Sequence, residues 1–137
     1  MIKIVNSLNF VGFIGFLSFL TLSLSSFNSS ETWKAPATAK NITNPLKNNS
    51  QATAEGKKLY VNMCVVCHGN KGKGDGIAGM TLKPRPSNLT QALIQDQADG
   101  EIFWKITEGR APMASYKELL TEEQRWQLVN YIRILKK

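Results

Sequence analysis

The chain contains few of the side chains that bind metal ions, since its 137 residues include one histidine and two cysteines. A structural zinc site needs about four such ligands, and this sequence cannot supply them. Strand patterns are also missing, which favours an all-α protein. The glycine-rich loop at 71–76 lacks both a preceding strand and the residue order of a phosphate-binding loop. These absences argue against a zinc module and a nucleotide-binding fold.

The two cysteines and the histidine stand together, as Cys64, Cys67 and His68 in the order Cys-Val-Val-Cys-His. This is the spacing at which a haem is attached covalently. Both thiols lie on one side of a helical turn and can add to the vinyl groups of one porphyrin, and the adjacent imidazole then reaches the iron. A thioredoxin-like dithiol would follow a strand, and none is predicted here. The sequence therefore predicts one covalent haem c, with a chance disulfide as the remaining alternative.

The N-terminal 27 residues have the order of a secretory signal. Lys3 precedes an apolar run from Phe10 to Leu24, and small polar residues follow it. The run falls short of the ~20 residues that span a bilayer, so we expect cleavage, with an uncleaved N-terminal anchor as the alternative. No cysteine at its end could carry a lipid. Both outcomes place the remaining chain in the periplasm or on the outer face of the cytoplasmic membrane.

Composition divides the rest of the chain in two. Residues 28–50 are rich in Asn, Ser, Thr, Lys, Ala and Pro, which predicts a flexible linker because such a segment cannot bury a core of its own. Residues 51–137 are predicted to form the haem domain. A domain of this size has a thin core, so its fold should depend on the apolar surface that an attached porphyrin adds.

Helices are expected throughout the haem domain. One is predicted over 53–67 with Thr53 as its N-cap, and a shorter one over 99–108 is ended by Gly109. Thr121 opens the last helix with a capping box. The apolar stripe of this last helix contains Trp126, Leu128, Val129, Tyr131, Ile132 and Leu135.

The order of these features matches a known family. After the haem motif come a glycine-rich loop, a proline-rich stretch, a short helix, a Pro-Met pair and a terminal aromatic helix. The segment 54–134 resembles a class I (mitochondrial-type) cytochrome c domain of the bacterial single-haem kind. The resemblance implies three to four helices around one haem, with the first and last helices crossing. Gly56 and Tyr60 would meet Leu128 and Tyr131 at that crossing.

The resemblance also implies the second axial ligand. In the family, a methionine after a proline places its sulfur on the iron, and Pro112 with Met113 matches this pattern. Met80 is the alternative. A second histidine ligand is impossible within the chain, because His68 is the only histidine.

The resemblance also implies a hydrogen bond to the haem ligand His68. The carbonyl of Pro84 or Pro86 is expected to accept the proton on His68 Nδ1 and so to orient the ring. Arg85 and Trp104 are candidates to meet the haem propionates.

Two filled axial positions restrict the function. With no open iron site and no distal histidine to move protons, the chain is expected to transfer electrons and not to act as an enzyme. A His/Met pair raises the reduction potential relative to two nitrogen ligands. The alternative is the cytochrome c subunit of a membrane-bound oxidoreductase. A redox or gas sensor is a distant third, since Met113 would have to leave the iron.

Charge bears on the partners. Residues 28–137 carry 16 Lys and Arg against 10 Asp and Glu, and no nucleic-acid recognition motif accompanies this excess. We expect redox partner proteins with an acidic docking patch; the alternative is a basic surface that only confers solubility. The basic residues near the haem motifs are Lys57, Lys58, Lys71, Lys73, Lys83 and Arg110.

Overall fold

The computed structural model describes residues 32–136, and this part of the chain is helical. The five α-helices are α1 Ser50–Met63, α2 Val65–His68, α3 Ala92–Gln95, α4 Asp99–Glu108 and α5 Glu122–Ile134. Short 3₁₀ turns occupy Ala37–Asn41 and Gly79–Thr81. The described residues contain no strand, and the all-α prediction is confirmed. None of these helices is long and apolar enough to cross a membrane, and the predicted signal, residues 1–27, lies outside the described residues.

The first helix begins earlier and ends earlier than predicted. Its N-cap is Asn49, whose side-chain oxygen accepts a 2.9 Å hydrogen bond from the Ala52 N–H. Thr53 lies inside the helix and donates its hydroxyl proton to the Asn49 carbonyl. The helix stops at Met63, and α2 begins at Val65. Asn is among the strongest N-caps, which explains why it takes precedence over Thr53.

The two later predicted helices are confirmed. Helix α4 ends at Gly109, whose positive φ of 66° suits a residue without a side chain. Helix α5 opens at Thr121 with both bonds of the capping box. The Gln124 N–H donates to Thr121 Oγ1, and the Thr121 N–H donates to Gln124 Oε1.

Helices α1 and α5 cross in direct backbone contact. A Cβ at Gly56 would lie 1.9 Å from the Gln127 carbonyl oxygen, so only glycine allows this approach. Nearby, the rings of Tyr60 and Tyr131 pack with centroids 5.0 Å apart. The predicted crossing is confirmed, and Leu128 is buried within it.

The core lies between α1, α4 and α5. Phe103 and Trp126 stack at its centre, with ring centroids 3.9 Å apart and planes 14° apart. Tyr60 and Trp126 are each 1% exposed, as expected for core residues. The remaining buried members of this cluster are Leu89, Ile102, Ile106, Leu120, Leu128, Val129, Tyr131 and Ile132.

The predicted flexible linker is wrong from Trp33 onward, because Trp33 begins the compact unit that contains the haem motif. The side chain of Asn44 is buried and its amide donates to Asp99 Oδ2 and to Asn130 Oδ1, both at 2.9 Å. The Asn130 amide donates in turn to the Leu46 carbonyl. Polar residues here satisfy one another inside the fold, which composition alone does not reveal. We refer to residues 33–49 as the N-terminal strap.

Candidate haem site

The haem motif occupies one helical turn. The N–H groups of Cys67 and His68 both donate to the Cys64 carbonyl, at 3.1 and 2.8 Å. Both thiols are partly buried and form no disulfide. We refer to residues 64–68 as the attachment turn. The two cysteines and the histidine therefore lie within one helical turn.

The Cys64 thiol is held in its protonated form. Burial raises its pKa to about 12, and the neighbouring Cys67 adds to this effect. The neutral form is the one that buried, apolar surroundings favour, and a porphyrin attached at Cys64 would share those surroundings.

The proton acceptor of His68 is not a proline. His68 Nδ1 lies 3.3 Å from the Ser87 carbonyl oxygen, so the prediction of Pro84 or Pro86 is corrected to Ser87. The Pro86 carbonyl instead packs on Gly74, where a Cβ would be 2.3 Å from its oxygen. The acceptor is thus the residue that directly follows Pro86.

The environment of His68 keeps its imidazole neutral. Burial lowers its pKa, and the hydrogen bond to Ser87 only partly opposes this. A proton placed on Nδ1 for that bond leaves the Nε2 lone pair available. This is the protonation state that a metal ligand needs.

The loop with the candidate sixth ligand is closed by its own backbone. The Arg110 N–H donates to the Met113 carbonyl at 3.0 Å, and the Met113 N–H donates to the Arg110 carbonyl at 2.8 Å. Met113 is partly buried and packs on the hydrophobic core. We refer to residues 109–116 as the distal loop.

Tyr116 connects the distal loop to the attachment turn. Its hydroxyl donates to the Met63 carbonyl at 3.3 Å, one residue before Cys64. Burial raises the pKa of Tyr116, and the thiols of Cys64 and Cys67 lie near enough to raise it further. Segments 53 residues apart in sequence are therefore adjacent, which brings the distal loop to the region of the cysteines.

Met80, the rival ligand, lies in a different setting. It belongs to the 3₁₀ turn Gly79–Thr81 and is 53% exposed. Unlike Met113, it is not part of the packing around the hydrophobic core. Met113 is therefore the more buried of the two candidate ligands.

The two candidate propionate contacts differ in burial. Arg85 is exposed, whereas Trp104 is partly buried. Trp104 packs edge to face on Trp33, with centroids 6.3 Å apart and planes at 61°. The sequence reasoning missed Trp33 because it lies in the segment predicted as a linker. Its one available signal was that it is a lone aromatic residue in a polar stretch.

A surface hollow of about 560 Å³ lies on the outer side of the attachment turn. Cys64, Cys67, His68 and Met113 do not line it. Its lining residues are Val65, Val66, Gly69, Asn70, Lys71, Lys73, Asp75, Gly76 and Ile77.

The side chains around the attachment turn fit a covalent haem. Two thiols, a neutral imidazole and a thioether supply the attachment and ligand groups. Partly buried apolar residues pack against the hydrophobic core, and these include Leu59, Met63, Val65, Ile94, Met113, Tyr116 and Leu135. Residues 32–136 contain no group of three or more His, Cys, Asp or Glu that could hold a bare metal ion.

An all-α fold with this attachment turn defines a c-type cytochrome domain. The model of the family described as "Cytochrome C oxidase, cbb3-type, subunit III" matches residues 51–132. That is more than half of the chain, and the chain belongs to this family. Its cofactor is covalently bound haem c, and its role is electron transfer, as predicted. No curated protein matches the chain.

The solved structures that resemble the chain include the following three. The KustC0563 c-type cytochrome is 33% identical, with a TM-score of 0.51 over 60% of this chain and 98% of that one. The Kuenenia stuttgartiensis reducing HAO-like protein complex Kustc0457/Kustc0458 has 24% identity and a TM-score of 0.61, over 70% of this chain and 50% of that one. Cytochrome CL from Methylophaga aminisulfidivorans has 20% identity and a TM-score of 0.54, over 67% and 58%.

The chain spans about half the length of the matched chain in the Kuenenia complex. That likeness and the likeness to cytochrome CL concern the fold alone, because both identities are low. The KustC0563 cytochrome is matched over nearly its whole length, and it supports the prediction of a single cytochrome c domain.

Proposed function

We propose that the chain is a single-haem electron carrier in which Cys64 and Cys67 form the thioether bonds and His68 and Met113 are the axial ligands. Haem c supplies a one-electron couple between ferrous and ferric iron when it is bound. The contact between the distal loop and the attachment turn carries the proposal, because Tyr116 bonds to the Met63 carbonyl beside Cys64. The chain has no other cysteine or histidine for these roles.

The protein groups have separate tasks in this proposal. Ser87 holds the His68 ring through Nδ1, which fixes the tautomer and directs Nε2 away from the proline-rich stretch. Met113 contributes an uncharged thioether, which favours ferrous iron and raises the reduction potential. Because both axial positions are taken, the chain itself is proposed to catalyse no reaction on an iron-bound substrate.

The proposed location is the periplasm or the outer face of the cytoplasmic membrane, after export by the signal at 1–27. The support is the order of Lys3, the apolar run and the small polar residues. Covalent haem is consistent with this route, because c-type haem is attached to exported chains.

A second candidate is the haem subunit of a membrane-bound oxidoreductase. Its support is the family description, a subunit of a cbb3-type oxidase, together with a structural neighbour that belongs to a protein complex. In this case catalysis would belong to other subunits, and the N-terminal segment would remain as an anchor.

The intact mass of the exported protein tests both candidates. A single added haem mass that survives denaturation and acidic organic solvent is expected, and it should disappear in a Cys64→Ser, Cys67→Ser variant. Loss of residues 1–27 from the mass supports the diffusible carrier. Retention of those residues, with the protein in the membrane fraction, supports the subunit. Haem that extracts from the wild type would contradict both.

The proposed docking surface is the hollow beside the attachment turn. Lys71 and Lys73 line it, together with Val66 and Ile77, which are 52% and 81% exposed. Lysines would steer an acidic partner, and the apolar side chains would make close contact once it has docked. Arg110 packs over the Trp33 ring, so we restrict the proposed surface to the two lysines and their apolar neighbours.

A further inference from the structure

The N-terminal strap lies outside the region that matches the family, residues 51–132, yet it is firmly attached to the haem domain. Asn44 joins it to Asp99 in α4 and to Asn130 in α5. A Cβ at Gly100 would lie 2.1 Å from the Ala39 carbonyl oxygen, so the strap rests directly on the α4 backbone. These contacts with α4 and α5 fix the position of the strap.

Trp33 forms the N-terminal end of the strap and lies where α4 meets the distal loop. Its ring packs on Trp104, and two cations of this region lie over it. Lys105 Nζ is 5.7 Å and Arg110 Cζ is 5.1 Å from the ring centroid. A ring that touches an aromatic side chain and two cations restrains them through edge-to-face and cation–π attraction.

Arg110 transmits this restraint to Met113. Its backbone exchanges two hydrogen bonds with Met113, which close the turn Arg110, Ala111, Pro112, Met113. Movement of the Arg110 backbone therefore displaces the methionine, and fixing Arg110 from outside keeps the methionine in place.

We propose that Trp33 is a positioning residue for the sixth ligand, and that the strap slows dissociation of Met113 from the iron by holding Arg110. The inference rests on the proposed ligation by Met113. The strap acts from residues that the family match does not include. The strap thus has a role at the haem site, besides connecting the haem domain to the N-terminal residues.

Cyanide binding to the ferric holoprotein tests the inference, because cyanide can bind only after Met113 leaves the iron. Trp33→Ala should raise the rate of cyanide binding about tenfold, as expected for loss of one such aromatic and cationic cluster. Trp33→Phe, which keeps an aromatic face, should fall between Trp33→Ala and the wild type. Gly100→Ala should reproduce the fast rate with Trp33 intact, because its methyl group pushes the strap off α4.

Tyr131→Leu is the control for general destabilisation. It weakens the α1 and α5 crossing, where Tyr131 packs on Tyr60, and should lower the melting temperature without changing the cyanide rate. Wild-type rates in both Trp33→Ala and Gly100→Ala would overturn the role of the strap. An acceleration of cyanide binding in Tyr131→Leu equal to that in Trp33→Ala would also overturn this role, because general destabilisation would then explain the effect. A wild type without the ferric sulfur-to-iron charge-transfer band would overturn the ligation proposal and the strap inference together.

Discussion

Gly56 lies against the carbonyl oxygen of Gln127, at a distance that would leave an added Cβ only 1.9 Å from that oxygen. The two longest helices meet here by backbone contact. This contact fixes how α5 lies on α1, and α1 leads directly into the attachment turn.

Gly56→Ala should therefore destabilise the holoprotein by about 2–3 kcal/mol, because the methyl group forces the two backbones apart. Denaturant unfolding followed by far-ultraviolet circular dichroism measures this. Lys57→Ala, at the adjacent exposed position of α1, is the matched control and should stay within about 0.5 kcal/mol of the wild type. Equal stability of Gly56→Ala and the wild type would mean that the helices do not cross at Gly56.

The Asp99 carboxylate should make the strap sensitive to acid. Burial acts to raise its pKa, but hydrogen bonds from Asn44 and Arg133 and the positive charge of Arg133 outweigh this, and the net pKa is lowered. A lowered folded-state pKa means that the stabilisation is present above the unfolded-state pKa and is lost as the pH falls through the folded-state value.

Asp99→Asn should accordingly cost about 1 kcal/mol near neutral pH and less at an acid pH at which the Asp99 carboxylate of the wild type becomes protonated. The free energy of unfolding at the two pH values gives the comparison. Glu118→Gln changes an exposed carboxylate and should show no such difference. A penalty for Asp99→Asn that is independent of pH would show that the carboxylate charge does not contribute.

Charge reversal tests the docking surface. A Lys71→Glu, Lys73→Glu variant should reduce electron transfer to a small acidic redox protein at least about tenfold at low ionic strength, because steering is lost. The wild-type rate should fall steeply with salt, since the screening length is ~10 Å at 0.1 M. The haem spectrum should not change.

The control for this experiment is Lys40→Glu with Lys117→Glu. Both lysines are exposed, and neither lines the hollow. The net charge change is identical, so an equal loss of rate in the two variants would show that overall charge, and not the hollow, governs the encounter.

Local signals made much of the fold predictable from the sequence. The capping box at Thr121, the stop at Gly109 and the order of the haem motif depend on near neighbours in the chain, and the structure has all three. Gly56 and Tyr60 were assigned to the crossing through the family resemblance, which supplied the long-range partner that a single helix cannot indicate.

Contacts between distant polar residues were not predictable in this way. The strap appeared to be a linker because its side chains are polar, and Asn44 is buried only because Asp99 and Asn130 satisfy it from two other helices. The acceptor for His68 was displaced by one residue, to Ser87. Motif spacing can predict which segment lies near a site. Which atom of that segment accepts the hydrogen bond depends on the local backbone conformation, which spacing does not specify.

The near-infrared spectrum of the ferric protein tests the central claim, axial ligation by His68 and Met113, most directly. The wild type should show the weak sulfur-to-iron charge-transfer band. Met113→Ala should lose it and bind cyanide or carbon monoxide readily, whereas Met80→Ala, at an exposed position, should keep it. A band that persists in Met113→Ala and disappears in Met80→Ala would contradict the account and transfer the ligand role to Met80.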